Sequence, residues 1–132
     1  MYVGGITKLG TDEANSVIRP EFFSIVPSFF STDVEESTGG LRALLRRCFM
    51  SDLQPEELYL MLGYNVSVPP HVRQALLSRV IDNDDVMPKL RRTPVLIVQG
   101  DQDANVKPEA VAQHTAVLPH AEVALMPGAG HE

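Results

Sequence analysis

The C-terminal part of the chain alternates short apolar runs with polar turns, and this pattern predicts a strand, a helix and a second strand. Residues 95–98 are apolar and mostly β-branched, and Gly100 closes the run, which is typical of a strand buried on both faces. Residues 108–118 repeat apolar positions at helical spacing until Pro119 ends the helix. Residues 122–126 predict the next strand. Because strands joined by one crossover helix lie parallel, the pattern predicts a parallel βαβ unit.

Between residues 6 and 88 the apolar spacing is that of short helices, which predicts a helical cap inserted between core strands. One helix has apolar residues at positions i, i+3, i+4, i+7 and i+8: Leu41, Leu44, Leu45, Cys48 and Phe49. Its arginines fall off this stripe and are predicted to face solvent: Arg42, Arg46 and Arg47. A second helix is predicted to begin at Pro55 and to end at Gly63, and a third begins after Pro69.

Four phenylalanines are concentrated within residues 18–30: Phe22, Phe23, Phe29 and Phe30. Pro20 and Pro27 break this segment into short pieces. Together with Val106, the four aromatic side chains are candidates to line a pocket for an acyl or aryl substrate. Packing in the core beneath the cap is at least as good an interpretation of the phenylalanines.

Asp103 and His131 follow the two predicted C-terminal strands within four and five residues of the strand ends. The C-terminal ends of parallel strands share one edge of a sheet, and sites in open α/β sheets lie beyond that edge. Gly128 and Gly130 permit the tight turn that would aim the histidine inward. We therefore expect the carboxylate and the imidazole to meet.

Such a pair has a chemical use in general acid–base catalysis. A carboxylate that accepts the Nδ1 proton fixes the imidazole tautomer and leaves Nε2 to take a proton from a nucleophile or from water. Taken alone, a Gly-Asp-x-Asp segment is more often a turn with a helix cap, and a lone histidine near glycines is more often a surface residue. The spacing of 28 residues, filled by one helix and one strand, favours a catalytic acid and base.

Several features follow one another in a set order over about forty residues: the apolar strand, a Gly-x-x-Asp loop, a Pro-Glu-Ala helix start, and a strand closing on Pro-Gly-Ala-Gly-His. Together they resemble the C-terminal third of an α/β-hydrolase. Residues 1–3 followed by Gly4 and Gly5, together with the helical middle region, resemble more loosely the preceding core strand and the cap of that family.

The resemblance implies an α/β fold, with a partial parallel sheet of an α/β-hydrolase and an inserted helical cap. Residues 1–5 would form a core strand, residues 6–88 the cap region, and residues 89–132 the C-terminal βαβ core with its two loops. It also implies that Asp103 and His131 are the acid and base of a nucleophile–His–acid triad.

A nucleophile elbow of the form G-x-S-x-G is absent from the chain, although the resemblance implies one. None of the serines from Ser16 to Ser78 lies between glycines after an apolar strand. We therefore expect a fragment of a hydrolase of ester-type bonds that is inactive by itself. Alternatives are a non-catalytic binding or assembly module, an epoxide or haloalkane hydrolase if the nucleophile is aspartate, and a relative of the cofactor-free haloperoxidases.

Composition narrows the class of protein further. A length of 132 residues, 44% hydrophobic content and the lack of a membrane-length apolar run predict one soluble domain that does not enter a membrane. A net charge of −6 disfavours a nucleic-acid surface and leaves a small-molecule substrate as the expected partner. A single cysteine, Cys48, excludes an internal disulfide, suggests a cytoplasmic protein and is interpreted as a packed apolar residue. The short sheet would leave an edge unpaired, which predicts homo-oligomers or association there.

No metal or other cofactor is expected from the spacing of the polar residues. Asp101, Asp103 and Asn105 imitate the start of a calcium loop, but Val106 takes the glycine position and Ala112 that of the final glutamate. The histidines lack the spacing of a zinc site, and the chain has no glycine-rich phosphate loop.

Overall fold

A computed structural model describes residues 2–3 and 5–131, and its sheet consists of three parallel strands. The strands are β1 (Tyr2–Val3), β2 (Leu96–Gly100) and β3 (Glu122–Met126), with β2 in the middle. β2 and β3 pair in register from Leu96 with Glu122 to Gly100 with Met126. The predicted parallel sheet is therefore confirmed. Gly4, which the sequence analysis grouped with Gly5, lies outside the described residues, as do Met1 and Glu132.

One helix, Ala110–Val117, connects β2 to β3. It starts two residues later than the predicted range of 108–118, because Pro108 and Glu109 form a turn ahead of it. β3 has the predicted bounds, whereas β2 begins one residue after Val95. The strand–helix–strand order of the sequence pattern is confirmed.

Five α-helices lie between β1 and β2 in the described part of the chain: α1 (Asp12–Val17), α2 (Pro20–Ile25), α3 (Val34–Cys48), α4 (Pro55–Val66) and α5 (Pro70–Leu77). The connecting helix Ala110–Val117 is accordingly α6. Two short 3-10 helices lie between these elements, Val26–Phe30 between α2 and α3 and Met87–Arg92 between α5 and β2. The sequence predicted three helices here; of the two further ones, α2 lies in the proline-broken segment of residues 18–30 and α1 directly precedes it.

Polar side chains at the helix starts explain where α3 and α4 begin. Asp33 accepts the backbone N–H of Glu36 at 2.8 Å, which caps α3. Gln54 and Glu57 form a reciprocal capping box at the start of α4. The prediction that α4 ends at Gly63 was wrong, because this glycine does not adopt the left-handed conformation that terminates a helix.

A hydrophobic cluster joins the first 3-10 helix, α3 and α4: Phe29, Leu41, Leu45 and Leu62. The buried Arg73 guanidinium lies beside it and donates to the Phe29 carbonyl at 2.8 Å, the Asn65 carbonyl at 3.1 Å and the Ser37 hydroxyl at 2.8 Å. One α5 side chain thereby satisfies acceptors on the first 3-10 helix, α4 and α3. A second, smaller cluster consists of Val17, Val106 and Ala110. It packs the helices between β1 and β2, called the helical segment below, against the C-terminal core.

β3 is an edge of the described sheet and is largely exposed to solvent. The exposed fractions are 42% for Val123, 56% for Leu125 and 46% for Met126. Apolar side chains on a strand with one unpaired edge favour association, and the predicted association through this edge stays a prediction. In the described part of the chain, no helix is long and apolar enough to cross a membrane.

Candidate active site

Two loops at the C-terminal edge of the sheet carry the candidate catalytic pair. The acid loop, residues 101–107, follows β2, and the histidine loop, residues 127–131, follows β3. Since β2 and β3 are parallel, both loops leave the sheet at the same edge. Nδ1 of His131 lies 2.8 Å from Oδ2 of Asp103. The structure thus brings together the two side chains that the sequence selected.

Glycines allow the two loops to approach each other closely. A Cβ atom on Gly100 would lie 2.2 Å from the Gly130 carbonyl oxygen and 2.4 Å from that of Ala129, so only glycine fits there without displacing backbone. Gly128 has a φ of +71°, which makes the turn after β3. The Gln102 N–H donates to the Ala129 carbonyl at 3.0 Å. The histidine loop is therefore packed directly on the acid loop.

The Asp103 carboxylate is fully buried and accepts four hydrogen bonds. Oδ1 accepts the backbone N–H groups of Asn105 at 2.7 Å and Val106 at 2.8 Å. Oδ2 accepts the side-chain amide of Gln99 at 3.0 Å and Nδ1 of His131 at 2.8 Å. Each oxygen therefore has two donors, which fixes the plane of the carboxylate.

Burial alone would raise the pKa of Asp103, since it disfavours the charged form. The hydrogen bonds from His131, Val106 and Asn105 outweigh burial and lower the pKa below the ordinary aspartate value. An ionised carboxylate only accepts, so the proton of the short contact must be on Nδ1 of the imidazole. That assignment makes Nε2 the basic nitrogen of the neutral ring.

A mainly apolar pocket of about 390 Å³ has His131 in its wall. Ile6, Leu9, Ile18 and Phe22 from the helical side, and Val106 from the acid loop, contribute apolar surface. An apolar cavity with a few polar groups is the usual form of a small-molecule site. The imidazole contacts the buried carboxylate and also lines the pocket, and its side chain is 25% exposed.

The five candidate pocket residues do not all lie at this cavity. Phe22 and Val106 line it. Phe29 is buried in the hydrophobic cluster of the helices, and Phe30 packs against that cluster. Phe23 is 41% exposed. The aromatic segment is therefore divided between the pocket wall, the core and the surface, and Phe22 packs edge-on against Phe29 at a centroid distance of 6.4 Å.

Two arginines of the helical segment hold the acid loop. Arg19 Nε donates to the Asp103 carbonyl at 2.7 Å. Arg47 Nε donates to Oδ1 of Asn105 at 3.2 Å, and its terminal nitrogen donates to the Ala104 carbonyl. The prediction that Arg47 faces solvent was therefore wrong.

The exposure of Arg42 and Arg46 was predicted correctly. Arg47 differs from them because the acid loop, distant in sequence, packs on the end of α3 and offers its guanidinium two acceptors.

Cys48 and Gln99 also contact the site, although the sequence analysis assigned neither of them to it. Cys48 lines the pocket, accepts the Asn105 amide on Sγ at 3.5 Å, and accepts the His131 backbone N–H on its carbonyl at 3.1 Å. Gln99 could have been recognised, because a polar residue closing a buried strand needs a buried partner. Nothing in the local sequence of Arg47 or Cys48 indicates their contacts.

Metal ligands are not grouped among residues 2–3 and 5–131, where no three His, Cys, Asp or Glu side chains are placed to hold one ion. The described site brings together a buried carboxylate, an imidazole and an apolar pocket.

Comparison with solved structures places the fold among known proteins. An esterase from a Rhodococcus species matches with a TM-score of 0.81 and 28% identity, over 98% of this chain and 47% of that protein. A Burkholderia cenocepacia protein assigned as an aryl esterase matches with 0.82 and 26%, over 98% of this chain and 46% of that one. A Bacillus anthracis bromoperoxidase matches with a TM-score of 0.63 and 20% identity, over 80% of this chain and 41% of that protein. No family model and no curated protein sequence matches.

These matches confirm the resemblance inferred from the sequence. The chain has an α/β-hydrolase fold and corresponds to the C-terminal portion of it. It spans about half the length of the two esterase structures that it matches. The esterase matches support a hydrolase-like protein.

Proposed function

We propose that this chain supplies the acid and the base of an ester hydrolase that works through a nucleophile–His–Asp triad. His131 is the general base and Asp103 orients it. The observation that carries the proposal is the 2.8 Å contact between Nδ1 of His131 and Oδ2 of the buried Asp103, at the wall of an apolar pocket. The names of the esterase matches support ester bonds as the substrate class.

In this mechanism Nε2 of His131 takes the proton of a nucleophile as that group attacks the ester carbonyl, and then returns it to the leaving alcohol. The resulting acyl-enzyme is hydrolysed when the same nitrogen activates water. Asp103 keeps the proton on Nδ1 and stabilises the imidazolium form. The 132 residues hold no G-x-S-x-G motif, so the nucleophile of this mechanism would come from residues outside them.

The substrate pocket of this proposal is the 390 Å³ cavity, with Phe22 and Val106 as wall residues and residues 6–88 as the cap. The matched share of the two esterase structures, 47% and 46%, supports a parent protein about twice as long as this chain. An apolar cavity of this kind favours the uncharged acyl or aryl part of a small ester.

A chimera tests the catalytic roles directly. The part of the Rhodococcus esterase that the match leaves uncovered is joined to this chain, and hydrolysis of an activated aryl ester is measured. We expect turnover that falls at least about a hundredfold with Asp103→Ala or His131→Ala, given the usual size of acid–base contributions.

The exposed His71 provides the matched control, because His71→Ala removes an imidazole away from the candidate site. Turnover that survives both candidate substitutions would contradict the assignment. The isolated chain should show no hydrolysis above background.

Two other functions have support from specific observations. The bromoperoxidase match favours a halide-dependent oxidation on the same fold, which the chimera would reveal as monochlorodimedone halogenation in the presence of peroxide and bromide. The mainly apolar pocket of about 390 Å³ favours a non-catalytic binding module as the second alternative. Saturable binding of an apolar ester to the isolated chain, with an inactive chimera, would support that alternative.

A further inference from the structure

The last turn of α3 contacts both loops of the candidate site. Arg47 donates to Oδ1 of Asn105 at 3.2 Å and to the Ala104 carbonyl, both in the acid loop. The next residue, Cys48, accepts the backbone N–H of His131 at 3.1 Å. Two consecutive residues at one helix end therefore hold the acid loop and the histidine loop at the same time.

The acceptors of Arg47 belong to the turn that builds the carboxylate's surroundings. Ala104 and Asn105 directly follow Asp103, and the Asn105 N–H donates to Oδ1 of that carboxylate at 2.7 Å. A guanidinium is a planar fork of donors, so it can hold a carbonyl and an amide oxygen in one fixed arrangement. Arg47 thus acts on the carboxylate through the backbone turn, without touching it.

The end of α3 also contacts the histidine loop, which carries the other member of the pair. The helix end leaves little room for a side chain at position 130, because a Cβ on Gly130 would lie 3.1 Å from the Cys48 carbonyl oxygen. The Asn105 amide donates to Cys48 Sγ at 3.5 Å, which joins the helix end to the acid loop a second time. A shift of this helix end would therefore move both the carboxylate turn and the backbone of His131.

We propose that Arg47 is a positioning residue for the Asp103–His131 pair, and that the helical segment sets the geometry of the pair through the end of α3. The importance of this role for catalysis rests on the proposed function. The positioning itself concerns one hydrogen bond and can be measured in a protein without turnover.

The experiment observes the proton shared by Nδ1 of His131 and Oδ2 of Asp103. A proton in such a contact gives a far-downfield NMR resonance, which His131→Ala assigns in the full chain labelled with ¹⁵N-histidine. Arg47→Met keeps most of the aliphatic stem and removes the donors. Arg46→Met makes the same change at the preceding, exposed residue and serves as the control.

We expect the resonance to broaden beyond detection in Arg47→Met and to keep its shift and intensity in Arg46→Met, with the far-ultraviolet circular dichroism of both variants unchanged. An unaltered resonance in Arg47→Met overturns the proposal. Absence of the resonance from the unsubstituted chain also overturns it, because there would then be no contact to position.

If Arg47→Met does not fold, Arg47→Lys decides the question. Lysine keeps the charge but lacks the fork that holds two acceptors, so a weakened resonance supports the proposal and an unchanged one overturns it. An inactive chimera together with a resonance that depends on Arg47 refutes the hydrolase proposal alone. An active chimera whose resonance ignores Arg47 refutes the positioning role alone.

Discussion

The acid loop and the histidine loop hold the two halves of the candidate site in different ways. Asp103 is fully buried, accepts four hydrogen bonds and has its own carbonyl held by Arg19. His131 is 25% exposed, and Pro127 and Gly128 ahead of it are exposed. The carboxylate thus has three donors other than His131, whereas the partly exposed imidazole is oriented by its contact with the carboxylate. The acid therefore belongs to the core, whereas the base lies partly exposed beside it.

Removing the carboxylate should have the largest effect on stability. Asp103→Ala removes the acceptor of the buried Asn105 and Val106 N–H groups and one of the two acceptors of the Gln99 amide. We expect the free energy of unfolding to fall by about 4 kcal/mol. His131→Ala removes one partner of a partly exposed contact and should cost only about 1 kcal/mol. Urea denaturation of both variants measures the difference. Equal losses would contradict the view that only the acid belongs to the core.

Separating the two loops should have the next largest effect. The added methyl of Gly100→Ala meets the Gly130 and Ala129 carbonyl oxygens, which are backbone atoms that move only with the whole histidine loop. We expect a loss of about 2 kcal/mol in the free energy of unfolding.

The control for this separation is Gly63→Ala, in an exposed part of α4 where a Cβ would meet no atom within 4 Å. That change should stabilise the chain by about 0.5–1 kcal/mol, because alanine loses less backbone entropy than glycine on entering a helix. A Gly100→Ala variant as stable as the parent would show that the loops are not in tight contact.

The pH dependence of stability should show the smallest of the three effects. The pKa of Asp103 is lowered in the folded chain, while an unfolded aspartate has a pKa of about 3.9. The stabilisation is complete above the unfolded value and is lost as the pH falls through the lower, folded value. Asp103→Asn should therefore lose less stability than the parent between about pH 6 and about pH 3. Parallel curves for the two proteins would mean that the carboxylate is not stabilised by its donors.

Local patterns predicted the elements and topology that place the site. The apolar run before Gly100 and the short segment 122–126 after Pro119 were sufficient to predict two strands, and the helix between them required a parallel pair. That topology was enough to predict that Asp103 and His131 lie at one sheet edge. The contact follows from chain direction and loop length, which a sequence displays.

The surroundings of the pair could not be predicted in the same way. Arg47 lies 57 residues from Ala104, and its role depends on which face of α3 the acid loop covers. The division of the phenylalanines between pocket, core and surface depends on the turn from α2 into the 3-10 helix. Such contacts arise from tertiary packing, for which helical periodicity gives only the apolar face and not the neighbour that covers it.

The buried guanidinium of Arg73 has a consequence for the dynamics of the helical segment. It donates to acceptors on three other elements, so none of them can open locally without leaving a buried polar group unsatisfied. Amide protons in α3, α4 and α5 should therefore exchange with solvent through one shared opening event and form one cooperative unit. Leu44, Cys48 and Leu77 of this unit line the pocket, so a motion that widens the pocket on that side would move α3 and α5 together.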